Sequence, residues 1–255
     1  MKDIDKNNKK RQALFSTLLV TTALICAGCS QDYRTTGFQS QIVAGEQFIS
    51  VGQYAQGYSV LEQVTKDNPR SAEAQIALGD SYLRQGAHLK AMASYDTAIR
   101  LGAKTAGKVG KGRVHLANNR SELASQEFKA VLSADPNNFE AKNGIAVALD
   151  LDGDHLNAQN IYRELLDAYP TSAKVRNNYA LSLSMSGKTR EAIRHFGELS
   201  LSNLENEKFR QNLVLAYQIE GHEQEARSTS LIDLNEAQTE SNLELYKMIR
   251  DRGQK

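Results

Sequence analysis

Glycines recur along this chain at intervals of 34 residues. Gly52 and Gly86 are one interval apart, and Gly153, Gly187 and Gly221 keep the same step. From Gly86 to Gly153 the distance is one residue short of two intervals, and Asn119 fills the missing slot. Gly and Asn tolerate the left-handed backbone that ends a helix, so each mark reads as the close of a first helix. The three prolines, Pro69, Pro136 and Pro170, fall where one unit ends and the next begins. Proline cannot continue a helix, so it enforces the stop. A period of 34 residues fits a helix–turn–helix unit, and no such unit buries its apolar face alone. Six of them are expected to stack into a right-handed superhelix. Such an array presents a groove and has no built-in active site.

The positions between the glycines carry a second pattern. In the second unit Leu78, Gly79 and Tyr82 are placed on the first helix, and Ala91, Tyr95 and Ala98 on the second. Equivalents elsewhere are Gly45, Phe48, Leu61 and Val64, then Gly112, Ala124 and Phe128, then Ala146, Ala158, Tyr162 and Leu165, then Ala180, Ala192, Phe196 and Leu199. Small residues let the second helix approach, and aromatics fill the gap beside them. This pattern resembles the tetratricopeptide (TPR) repeat. The expected fold is all-α, an α-solenoid of about six TPR repeats over 38–239. The sixth repeat keeps Ala216, Tyr217 and Ala226 but puts Ser230 and Asp233 at usually apolar places, which suits a solvated outer face. Ser241-Asn242-Leu243-Glu244 reads as a capping box. Leu243, Tyr246 and Ile249 follow at helical spacing, so 240–255 is read as a C-terminal capping helix and tail.

The other end has a different plan. Lys2, Lys6, Lys9, Lys10 and Arg11 precede an apolar stretch from Ala13 to Ala27, too short for a membrane span of ~20 residues. It ends in Ala27-Gly28-Cys29-Ser30, which resembles the lipobox of bacterial lipoproteins. Residues 1–28 are expected to be the signal peptide, Cys29 the lipid-attachment residue, and 29–37 a lipidated tether. Ser30 in place of Asp implies, by the same resemblance, the outer membrane. Cleavage would remove Cys26 and lipid would occupy Cys29, leaving no free thiol in an oxidising periplasm.

Charge excludes one class of partner. The chain has 31 basic and 30 acidic residues; 1–28 hold five of the basic and two of the acidic, which leaves 26 against 28. That near-neutral balance gives no footprint for nucleic acid. Asp150-Leu151-Asp152-Gly153-Asp154-His155 has the look of a calcium loop, but its twelfth position is not Glu, and Gly153 belongs to the repeat ladder. The five histidines are scattered, with no pair at i, i+3 or i+4. No catalytic set, metal site, cofactor or small-molecule substrate is expected, and the chain is not read as an enzyme.

One constellation points to a partner. Lys174-Val175-Arg176-Asn177-Asn178 and Lys208-Phe209-Arg210-Gln211-Asn212 repeat Lys, Arg and Asn at a spacing of 34, with Asn143 offset by one place. The resemblance to TPR repeats implies that first helices line a concave groove and that an amide at this place holds a partner's backbone. Lys174, Asn178, Lys208 and Asn212 are therefore the candidate partner-binding residues, with the amides facing solvent. The acidic-tail clamp of chaperone-binding TPRs is not reproduced.

The order of parts resembles the TadD-type lipoprotein of the tight-adherence (Flp) pilus system. The likeness runs through Ala77-Leu78-Gly79-Asp80, Val147-Ala148-Leu149-Asp150, Arg176-Asn177-Asn178-Tyr179-Ala180-Leu181, Gln211-Asn212-Leu213-Val214-Leu215-Ala216-Tyr217 and Asp233-Leu234-Asn235-Glu236-Ala237. It implies an outer-membrane scaffold or pilotin-like factor whose partners are the secretin or other assembly proteins. A type IV pilus pilotin and an adaptor that docks cell-wall enzymes share the layout of lipid plus repeats.

Overall fold

The computed structural model describes residues 37–253, so the expected signal peptide, Cys29 and most of the expected tether lie outside it. Among the described residues there are thirteen α-helices and no strand. They fall into two compact units divided after Asn68.

The first unit contains α1 (Phe38–Ser50) and α2 (Tyr54–Asp67). Gly45 and Gly57 form their crossing point. A Cβ on Gly57 would lie 2.7 Å from the Gly45 carbonyl oxygen and 2.5 Å from Ile49 Cγ1. Ile42, Ile49, Leu61 and Val64 are buried around it.

The second unit holds five helix pairs and one further helix. They are α3 (Ala72–Arg84) and α4 (His88–Arg100), α5 (Lys104–Ala117) and α6 (Ser121–Leu132), α7 (Phe139–Leu151) and α8 (His155–Ala168). Then come α9 (Ala173–Met185) and α10 (Thr189–Ser202), α11 (Glu207–Glu220) and α12 (Glu223–Ser230), and α13 (Glu236–Gly253). With the first unit this makes the six pairs and final helix expected from the period. Each helix of this unit packs on the next, and α3, α5, α7, α9, α11 and α13 also touch one another in turn. The first helices therefore form a continuous row.

Local sequence explains the helix ends. All five glycine marks and Asn119 have positive φ, from +54° at Asn119 to +86° at Gly221. Asn119 is the one non-Gly residue so placed among the described residues, and its short polar side chain makes the left-handed region tolerable. Ser71, Asn138 and Ser172 cap the first helices that follow prolines, accepting from Ala74 N, Ala141 N and Val175 N at 3.1, 3.1 and 3.4 Å.

The second helices supply the core. Ala91, Tyr95 and Ala98 are 0% exposed, and the equivalent Ala124, Phe128, Val131, Ala158, Tyr162, Leu165, Ala192, Phe196 and Leu199 are at most 3% exposed. The Tyr95 ring is clamped from two sides. A Cβ on Gly79 of its own repeat would lie 2.6 Å from it, and one on Gly110 of the next repeat 2.4 Å. Phe128 sits likewise between Gly112 and Gly144, at 2.6 and 2.4 Å. The clamp from the following repeat was not read from the sequence, although Gly110 and Gly144 are 34 residues apart.

Two expectations at the C-terminal end are corrected. The sixth repeat's polar residues do not face solvent. Ser230 and Thr239 are 0% exposed and their hydroxyls lie 3.1 Å apart, joining α12 to α13. Asp233, its side chain 7% exposed, accepts from Arg210 Nε of α11 at 2.9 Å through each carboxylate oxygen. A polar lock replaces the aromatic plug because α13 covers that place. The last helix also begins at Glu236, not 240, and its capping box is Asn235-x-x-Gln238. Asn235 Oδ1 accepts from Gln238 N at 3.0 Å, and Gln238 Oε1 accepts from Asn235 N at 3.2 Å. Ser241 and Glu244 lie inside the helix.

Candidate interaction face on the first helices

The row of first helices presents amides at successive turns. Asn143 lies on α7, Asn177 and Asn178 on α9, and Asn212 on α11. The structure brings all four together. Asn178 Nδ2 donates to Asn143 Oδ1 at 3.2 Å, and Asn212 Nδ2 donates to Asn177 Oδ1 at 2.7 Å. Asn177 Nδ2 reaches Asn178 Oδ1 at 3.4 Å. The result is a relay of amides crossing three repeats. Both cross-repeat links join residues 35 apart, one more than the period. The offset of Asn143 thus matches that of Asn177, and each serves as acceptor for the amide of the following first helix.

This corrects the solvent-facing placement of the candidate amides. Asn178 and Asn212 are half-buried, and Asn143 is 4% exposed. Each amide still has two donor hydrogens and an acceptor oxygen with two lone pairs, so the relay uses only part of its capacity. A partner backbone would meet amides already fixed in direction, which lowers the ordering cost of binding.

The candidate lysines differ from one another. Lys174 is half exposed and forms an ion pair with Glu140, its counterpart one repeat earlier. Lys208 stands exposed on α11. Arg176 is held by Glu198 at 2.5 Å and by the Pro170 carbonyl at 2.8 Å, so it acts within the fold.

Further toward the N-terminal side the same row is ionic. Arg113 Nη1 of α5 donates to Asp80 Oδ1 of α3 at 2.8 Å, and the Tyr95 hydroxyl donates to the same oxygen at 2.6 Å. Burial and the neighbouring Asp80 raise the Tyr95 phenol well above its ordinary pKa, so it remains a donor.

Beside the relay, Asp150 is a buried hub. Ser182 Oγ donates to its Oδ1 at 2.6 Å, Tyr162 OH to its Oδ2 at 3.0 Å, and His155 Nδ1 lies 2.9 Å from Oδ1. Gln159 Nε2 donates to Ser186 Oγ at 2.8 Å, and Lys188 Nζ to Gln159 Oε1 at 2.9 Å, extending the tie between repeats. Gly153 sits in the interhelical turn at φ +80° and Asp154 caps α8. Asp152 accepts from Ser121 Oγ of α6, so the acids of this calcium-like stretch serve contacts within the fold.

Comparison with known proteins agrees with the architecture. The tetratricopeptide repeat family matches residues 44–106 and 109–173. No curated protein sequence matches the chain. Among solved structures, a thermophilic TPR protein of Thermus thermophilus superposes with a TM-score of 0.64 at 18% identity, over 71% of this chain and 98% of that one. A tetratricopeptide repeat protein of Parabacteroides merdae gives 0.65 at 14% identity, over 94% and 96%. A chain of the Cut9–Hcn1 hetero-tetramer of the APC/C gives 0.68 at 17% identity, over 90% of this chain and 45% of that one. At such identities the likeness is one of fold. The family match, which spans half the chain, carries more: the chain belongs to the tetratricopeptide repeat family, whose repeats are protein-binding scaffolds.

Proposed function

We propose that this scaffold is an outer-membrane lipoprotein, anchored through Cys29, that acts as a pilotin-like factor in Flp pilus assembly. Its partner is the secretin or another assembly protein, held along the first helices at Asn178 and Asn212 with Lys174 and Lys208 beside them. The relay from Asn143 to Asn212 carries the interaction half of this reading. It is a pre-oriented row of amides on the face that the repeats make continuous. The lipobox-like Ala27-Gly28-Cys29 and the order of repeat motifs support the cellular half.

The test is made in the cell that encodes the chain. Deleting it should lower the outer-membrane level of secretin multimers and abolish surface Flp pili, and wild type should restore both. Asn178→Ala with Asn212→Ala should restore them poorly while remaining membrane-bound. Normal secretin multimers and pili in the deletion strain would rule out the pilus role. Full restoration by the double variant would move the docking surface elsewhere.

A further inference from the structure

One buried ionisable group takes no part in the relay or the hub. His195 lies on α10 and is 9% exposed. Its ring centroid is 5.2 Å from that of Tyr179 on α9, with the planes tilted by 60°. Tyr179 directly follows Asn177 and Asn178, so the imidazole packs on the segment that carries the centre of the relay. Its two nitrogens are poorly placed to hold a proton each. Arg194 Nη2 stands 3.2 Å from Nε2, and a guanidinium nitrogen can only donate, so Nε2 is the acceptor. Nδ1 is buried with no hydrogen-bond partner.

The surrounding charges are of both signs, and the one against the ring nitrogen, Arg194, is positive. From α9 the imidazole faces Arg176 and Tyr179, and from α10 it faces Glu191, Arg194 and Glu198. Glu198 is already shared by Arg176 at 2.5 Å and Arg194 at 3.1 Å. Glu191 stands beside the Tyr179 hydroxyl. A proton added at Nε2 would point at the Arg194 guanidinium, which has no lone pair to receive it.

We propose that His195 is an acid-sensitive latch: neutral, it closes the α9–α10 seam of the fifth repeat, and protonated, it loosens that seam and the α9 amides of the relay. Burial first, then Arg194, hold the ring below its ordinary pKa. With the folded pKa below the unfolded value of about 6.5, the seam is fully stable above pH ~6.5. Its stability falls as pH drops from there through the folded pKa, and is flat below it.

The test uses residues 30–255, which begin after the proposed lipid-attachment residue and include every described helix. Hydrogen exchange over 173–220, corrected for intrinsic rates, is compared at pH 7.5 and 5.0. The imidazole resonances of His195 are followed by NMR over the same range. In wild type the opening of 173–220 should rise on acidification, by up to about tenfold for each unit that the folded pKa lies below the unfolded one. His195→Asn and His195→Gln should lose that rise, whereas His115→Asn should keep it. Two results would each overturn the latch. One is His195 titrating at or above the ordinary value in the wild-type fold, a reading that needs no variant to fold. The other is a folded His195→Asn or His195→Gln with an undiminished response.

Discussion

At the residue scale, glycine in this solenoid does two separate jobs. The marks at 34-residue intervals supply a left-handed backbone, whereas Gly110 and Gly144 supply absence of volume against Tyr95 and Phe128. Gly144→Ala would place a Cβ 2.4 Å from the Phe128 ring, which cannot withdraw because Gly112 holds its other side. The expected cost is about 1–3 kcal/mol, read as a lower denaturation midpoint. Gly197, with nothing within 4 Å of its added Cβ, is the control, and Gly197→Ala should not be destabilising. The relay makes a prediction of its own. Because Asn178 and Asn212 each donate across a repeat boundary and Asn178 also accepts from Asn177, Asn178→Ala with Asn212→Ala should lower stability by about 1.5–4.5 kcal/mol, three bonds at ~0.5–1.5 each. A double variant that melts like wild type would mean that the amides are not paired in solution.

At the scale of elements, the shortest helix is the most informative. α12 stops at Ser230, which stands where the other repeats place an aromatic, and Thr239 of α13 meets it there. Arg210, Asp233, Ser230 and Thr239 tie α11, α12 and α13 together. The Arg210 guanidinium holds the Asp233 carboxyl below the usual carboxylate range, so the lock is complete above the unfolded carboxylate pKa and is lost as pH falls through the folded value. Asp233→Asn should therefore release α13 at neutral pH, seen as faster hydrogen exchange over 236–250. It should also remove the acid-dependent part of that exchange, which in wild type appears only below about pH 4. Unchanged protection of α13 in Asp233→Asn would show that packing alone holds the helix. The capping box at Asn235 and Gln238 shows how a start signal is misread. Ser241 and Glu244 have the right types and spacing, but they stand on a helix already under way, and the earlier pair meets the open amides first.

For the whole molecule, the proposed function divides the work between lipid and repeats, one fixing place and the other recognition. Cys29→Ser should abolish acyl labelling and release the full-length protein from membranes, with its helical content unchanged by circular dichroism; labelling that persists would rule out Cys29. The sequence by itself determined the helix pairs, their boundaries at glycine, Asn119 and proline, and the alanine–aromatic core. Those features are periodic and local, so the same requirement is written again in every repeat and can be found by comparing the chain with itself. Only the tertiary structure decided which amides meet, that Gly110 and Gly144 close on the preceding repeat, that Ser230 is buried against α13 and that Asp233 pairs with Arg210 of α11. Those outcomes depend on side chains 9 to 35 residues apart arriving from different helices. A polar residue carries the same letter whether it faces water or a partner. What distinguishes the two is whether another helix covers it, and that follows from how the helices pack.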